Sequence, residues 1–113
     1  MDLKLEKTTN GYYVLNIQEE RIDAHNSGEL KAYLLQMIEE GGRQIIVQLG
    51  HVRFIDSSGL GALLSANKNI LAKSGKFALT NIQQQVMSMF ELTRLNRVFD
   101  IYADINEAFS SED

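Results

Sequence analysis

Apolar residues along this chain switch repeatedly between a spacing of two and a spacing of three to four, and the switches divide it into strands and helices. Leu3 and Leu5 alternate with charged residues up to Thr8. Asn10-Gly11 then offers a tight turn, and Tyr12-Tyr13-Val14-Leu15-Asn16-Ile17 resumes in strand-like composition, which predicts a hairpin. Leu30, Leu34, Met37 and Ile38 mark one face of a helix that Asp23 or Asn26 can cap and that Gly41-Gly42 ends. Gln44-Ile45-Ile46-Val47-Gln48-Leu49, bounded by Gly42 and Gly50, fits a central strand. Leu60, Leu63, Leu64, Ile70 and Leu71 recur at helical spacing, with Lys68 and Lys73 for the wet side and Gly75 as the stop. Lys76-Phe77-Ala78-Leu79-Thr80 reads as a short strand, and Ile82, Val86, Met89 and Phe90 as a third helix behind Asn81. Val98-Phe99-Asp100-Ile101-Tyr102 is expected as the last strand, and Asp104 with Glu107 as the capping pair of a short terminal helix.

The order is therefore β-β-α-β-α-β-α-β-α. Strands separated by helices need crossover connections, which predicts an α/β fold: a mixed, mostly parallel sheet with helices packed against it and an antiparallel edge from the hairpin. The length of 113 residues suits one core, and no proline, low-complexity tract or internal repeat marks a boundary, so residues 1–113 are expected to form one domain. Apolar residues at 44% against 23% charged ones describe a globular chain and not a disordered one. A net charge of -4 without a basic run argues against nucleic acid as a partner. The absence of cysteine removes disulfides and thiolate metal sites, and no apolar stretch reaches signal-peptide or membrane-spanning length. A cytoplasmic protein without metal, cofactor or membrane contact is the expectation.

The segment with most chemistry in it is Phe54-Ile55-Asp56-Ser57-Ser58-Gly59-Leu60-Gly61, which places two hydroxyls where a strand is expected to turn into a helix. Free amides and the positive end of the helix dipole would gather there, so a phosphate would be tolerated without refolding. Of the two serines one, Ser57, can cap the helix while the other is presented to solvent. Catalysis is disfavoured. A nucleophile elbow needs glycine on both sides of its serine, and Ile55 stands where the first would be. His25 and His51 are the only imidazoles, and both are expected in surface turns, His25 near the first helix start. A carrier-protein serine would sit on an all-helical bundle, and the lysine of a phosphate-binding loop is missing.

Asp56-Ser57-Ser58-Gly59-Leu60-Gly61 after its strand, in register with Arg21-Ile22-Asp23-Ala24 before the first helix, resembles the STAS domain family, within it the single-domain anti-sigma factor antagonists of bacterial partner-switching systems. That resemblance implies a protein substrate and not an enzyme. The unphosphorylated form would bind a serine-protein kinase that doubles as an anti-sigma factor and release its sequestered regulator; phosphorylation would end binding, and a metal-dependent serine phosphatase would reset the switch. It implies Ser58 as the acceptor, with Ser57 as the second choice. Asp23, His25, Asp56, Ser57, Gly59, Leu60 and Gly61 would meet the partner, with Gly59 admitting its backbone, and the chain would be a monomer or a heterocomplex with the kinase. Glu20 departs from the glycine often found before the Arg21 segment. The alternative keeps the fold and drops the switch, making the chain a non-phosphorylated STAS scaffold subunit, for instance of a lipid transporter complex. Met87, Met89 and Phe90 are expected in the core rather than at a docking surface, Arg94 and Arg97 as solubilising cations, Glu39-Glu40 as a solvated helix end, and Ser110-Ser111-Glu112-Asp113 as a frayed tail.

Overall fold

The opening hairpin forms as its alternation predicts: β1 (Leu3–Lys7) runs antiparallel to β2 (Tyr13–Ile17), with Leu5 opposite Leu15. The connection turns at Thr8, whose carbonyl accepts from the Gly11 amide at 3.2 Å, and Gly11 adopts φ +88°, where a side chain would be strained. This is a computed structural model, and it describes residues 1–111. A two-residue strand, β3 (Arg21–Ile22), leads into α1 (Ser27–Glu39), which ends at Gly41 with φ +105°. β4 (Gln44–Gln48) follows, then a second two-residue strand, β5 (Phe54–Ile55), and α2 (Ser57–Ala72). β6 (Lys76–Thr80), α3 (Gln84–Leu92), a 3-10 turn at Leu95–Arg97, β7 (Asp100–Tyr102) and α4 (Ile105–Ser110) complete the order.

The main sheet runs β1-β2-β4-β6-β7, and every pair after the hairpin is parallel. Its two faces separate by the strand period of two. Leu15, Ile17, Ile45, Val47, Phe77 and Leu79 join Leu30, Leu34 and Ile38 of α1 and Leu60, Leu63 and Ile70 of α2 in the principal core. Tyr12, Val14 and Ile46 pack on the opposite face with Ala108 of α4. β4 is thus covered on both sides, which accounts for the unbroken apolar run Ile45-Ile46-Val47. Asp104 caps α4 as expected: its carboxylate accepts from the Glu107 amide at 2.8 Å while Glu107 accepts from the Ala103 amide at 3.1 Å.

Several local expectations shift. β3 and β5 pair with each other in parallel as a separate small sheet, too short for periodicity to reveal. Leu71 is 53% exposed and belongs to the wet side of α2 with Lys68. Gly75 does not supply the left-handed residue behind that helix; Ser74 does, at φ +61°, and Gly75 is required because a Cβ would lie 2.6 Å from both the Arg43 carbonyl and Ile70 Cγ1. α3 starts later than expected, with Gln83 at the N-cap and Asn81 at φ +60°. Val98 is 49% exposed outside the last strand, because the preceding 3-10 turn delays β7 to Asp100. Phe90 is buried and Met87 and Met89 pack partly buried against the core, whereas Arg94 and Arg97 are exposed. Of the expected tail, Ser110 ends α4 and Ser111 donates to the Ala108 carbonyl at 2.7 Å, while Glu112 and Asp113 lie outside the described residues.

Candidate functional site

β3 and β5 bring the two motifs of the sequence together. Their register sets Arg21 opposite Phe54 and Ile22 opposite Ile55, and the Asp56 amide donates to the Ile22 carbonyl at 3.2 Å. The chain then turns into α2 with Asp56 at the N-cap in extended backbone. One oxygen of that residue, Oδ1, accepts from the Ser58 amide at 3.0 Å, from the Gly59 amide at 3.1 Å and from the Ser58 hydroxyl at 2.6 Å. An ionised carboxylate has no proton to give, so the hydroxyl is the donor. That hydroxyl is the first cause holding the Asp56 carboxyl below its ordinary range, followed by the Gly59 amide, with the Ala24 amide of the β3–α1 loop contributing as well.

The cap therefore differs from the expected one. Ser57 does not cap the helix; it is exposed at the first helical position, with part-buried Ser58 beside it. The Ser58 and Gly59 amides at the start of α2 are already taken by the Asp56 carboxylate. Gly59 and Leu60, expected to meet a partner, are buried within the chain itself, Leu60 to 2% exposure. A Cβ at Gly59 would lie 2.7 Å from Ile55 Cγ1, 2.8 Å from Ile22 Cγ2 and 2.9 Å from the Ile22 carbonyl, so the close approach this glycine allows is that of β3 and β5 of this chain. Gly61 is exposed, with open space where a side chain would stand.

The loop from β3 into α1 lies alongside. Asp23 accepts from the His25 amide at 3.0 Å, and Asn26, although at the N-cap of α1, turns its side chain back: it accepts from the Asp23 amide at 2.9 Å and donates to the Arg21 carbonyl at 2.8 Å. The His25 side chain is 95% exposed with Nδ1 3.5 Å from Asp23 Oδ1. His51 is exposed in the turn after β4. Glu20 serves through its backbone, its carbonyl accepting from the Arg53 and Phe54 amides at 2.7 and 3.1 Å. Sequence reasoning missed the pair beside the serines: the Arg21 guanidinium lies 4.1 Å from the centre of the Phe54 ring and 3.5 Å from Asp23 Oδ2, leaving Phe54 39% exposed. Only the β3–β5 register makes these residues neighbours, and nothing in the sequence announces that register.

Among the described residues no group of three acidic, histidine or cysteine side chains could hold a metal ion, and no helix is long and apolar enough to cross a membrane. The anti-sigma-B factor antagonist of Staphylococcus aureus is 28% identical over 102 residues, which cover 89% of this chain and 94% of that protein. The fold is shared with the crystal structure of an anti-sigma factor antagonist from Mycobacterium paratuberculosis, with a TM-score of 0.86 at 19% identity over 97% of this chain and 92% of that one. It is shared as well with the Bacillus cell fate determinant SpoIIAA in its phosphorylated form, with a TM-score of 0.73 at 24% identity over 96% and 97% of the two chains. The STAS domain model matches residues 4–108, and the chain belongs to the STAS domain family.

Proposed function

We propose that this chain is an anti-sigma factor antagonist of a partner-switching system. Its unphosphorylated form binds a serine-protein kinase that doubles as an anti-sigma factor, displacing the sequestered regulator. Phosphorylation of Ser58 ends that binding, and a metal-dependent serine phosphatase restores it. The reading rests chiefly on one observation: a part-buried serine hydroxyl stands at the start of α2, held by Asp56, on the surface shared with Asp23, His25 and Ser57. The anti-sigma-B factor antagonist relative supports it across nearly the whole chain. The role of this site is recognition, with one hydroxyl as the switch.

The test is phosphopeptide mapping of the protein from its native cells, with pull-down of partners by the wild type and by Ser58→Asp. Condition-dependent phosphate on Ser58, and a kinase partner retained by the wild type and lost by Ser58→Asp, are the expected results. A chain unmodified in every condition, whose partner also binds Ser58→Asp, would replace the switch with the scaffold role.

A further inference from the structure

We propose that Asp56 is the positioning residue for phosphoryl transfer to Ser58, aiming the hydroxyl and taking its proton. The inference rests on the reading of Ser58 as the acceptor and adds to it a role for a neighbour within this chain. Its basis is the bond at 2.6 Å between Ser58 Oγ and Asp56 Oδ1. Because the carboxylate only accepts, the hydroxyl hydrogen is committed to Asp56 and the oxygen lone pairs stay free for an incoming phosphorus. The orientation is fixed from three sides: the same Oδ1 binds the Ser58 and Gly59 amides, and the Asp56 amide is anchored on the Ile22 carbonyl. The acceptor cannot turn without undoing the start of α2. Ser57, exposed and outside this arrangement, is not aimed in the same way.

The step balances with a nucleoside triphosphate as the co-reactant. Ser58 Oγ forms a bond to the terminal phosphorus, the bond from that phosphorus to the bridging oxygen breaks, and the nucleoside diphosphate leaves. The hydroxyl proton departs along its hydrogen bond to Asp56 Oδ1 and passes from there to water. Afterwards Ser58 Oγ is an ester oxygen without a proton, so the bond to Asp56 is gone and two acceptors face each other. The same carboxylate that aims the hydroxyl turns the product outward.

The experiment follows initial rates of phosphate incorporation from ATP, with clarified extract of the native cells as kinase source and the intact protein as varied substrate. Asp56→Ser keeps a capping residue but withdraws the carboxylate from Ser58 Oγ. Its maximal rate should fall about 10²-fold, the scale of a misplaced reacting group, with KM changed less than about twofold. Asp56→Asn, which keeps a neutral acceptor in place, should recover part of that rate, and Ser88→Ala, at an exposed hydroxyl of α3, should leave it unchanged. A wild-type maximal rate in Asp56→Ser, or a loss confined to KM, would overturn the proposal while leaving Ser58 as the acceptor. Absence of phosphate on Ser58 of the wild type would remove the acceptor reading and this proposal together.

Discussion

Replacing Gly59 by alanine tests the packing that presents the serines. The added methyl would stand 2.7 and 2.8 Å from Ile55 and Ile22 side-chain carbons and 2.9 Å from the Ile22 carbonyl, where ordinary contact begins at 3.4 Å. The carbonyl belongs to the short β3–β5 sheet and cannot rotate aside, so α2 must withdraw by about half an ångström or the strands must part. Overpacking of this kind costs about 1–3 kcal/mol, against which alanine recovers at most about 1 kcal/mol of helix propensity. With the full recovery, a net loss of up to about 2 kcal/mol remains. Gly61, two residues on in the same helix, has nothing within 4 Å of a Cβ, so Gly61→Ala should gain about 0.5–1 kcal/mol from propensity alone. Urea unfolding followed by far-ultraviolet circular dichroism separates the two, with midpoints moving in opposite directions at unchanged slope. A Gly59→Ala protein as stable as Gly61→Ala would refute the close approach of α2 to Ile22.

Three further outcomes follow from the same geometry. Asp56 titrates below its unfolded value, so its carboxylate supports the fold above about pH 4 and that support is lost as pH falls through the lower folded value; Ser58→Ala, by removing the largest cause, should raise the Asp56 pKa toward the ordinary range in a carboxyl-resolved NMR titration. Leu34, fully buried beneath α1, should cost about 2–5 kcal/mol when cut to alanine, while Leu71→Ala should fall within about 0.5 kcal/mol of the wild type, both read by urea unfolding. Asp104→Ala should destabilise by about 1 kcal/mol in the same assay through loss of the α4 cap, and Glu107→Ala should leave the Ala103 amide without its side-chain acceptor.

The parts of the fold legible in the sequence are those with enough residues to show a period. α1 reads from Leu30, Leu34, Met37 and Ile38 because four buried positions at helical spacing outweigh the polar residues between them, and β4 reads from a run buried on both faces. β3 and β5 have two residues each, which carry no period, yet they decide the site by setting Arg21 against Phe54 and Asp56 against Ile22. The hydroxyls were visible as a motif at a strand end, but which residue caps was not: Asp, Ser and Ser are all good N-caps, and the choice falls on Asp56 because β5 ends in extended backbone one residue earlier than Ser57. The same ambiguity hid Gly59, whose close neighbour turned out to be Ile22 of this chain, 22 being too distant in sequence from 59 for any local rule to pair.

The occupied cap changes how a phosphate on Ser58 would act. With Asp56 already on the Ser58 and Gly59 amides, the added charge of about −1.5 to −2 would stand beside a carboxylate instead of being muted by those donors. On the free protein this disturbs one part-buried helix start and none of Leu34, Ile45, Leu63 and Phe77 in the core, and the fold should survive. Against a partner's surface the same charge is desolvated, and an unpaired charge there costs about 2–5 kcal/mol. That weakens binding ~30- to ~4,000-fold, at about 1.4 kcal/mol for each factor of ten. Ser58→Asp, which brings a carboxylate to face Asp56, should therefore remain folded with native far-ultraviolet circular dichroism while its affinity for the kinase, measured by isothermal titration, falls at least about tenfold. Equal affinity of Ser58→Asp and the wild type would mean that the start of α2 lies outside the partner's reach, and the aimed hydroxyl would then be a cap contact with no switch behind it.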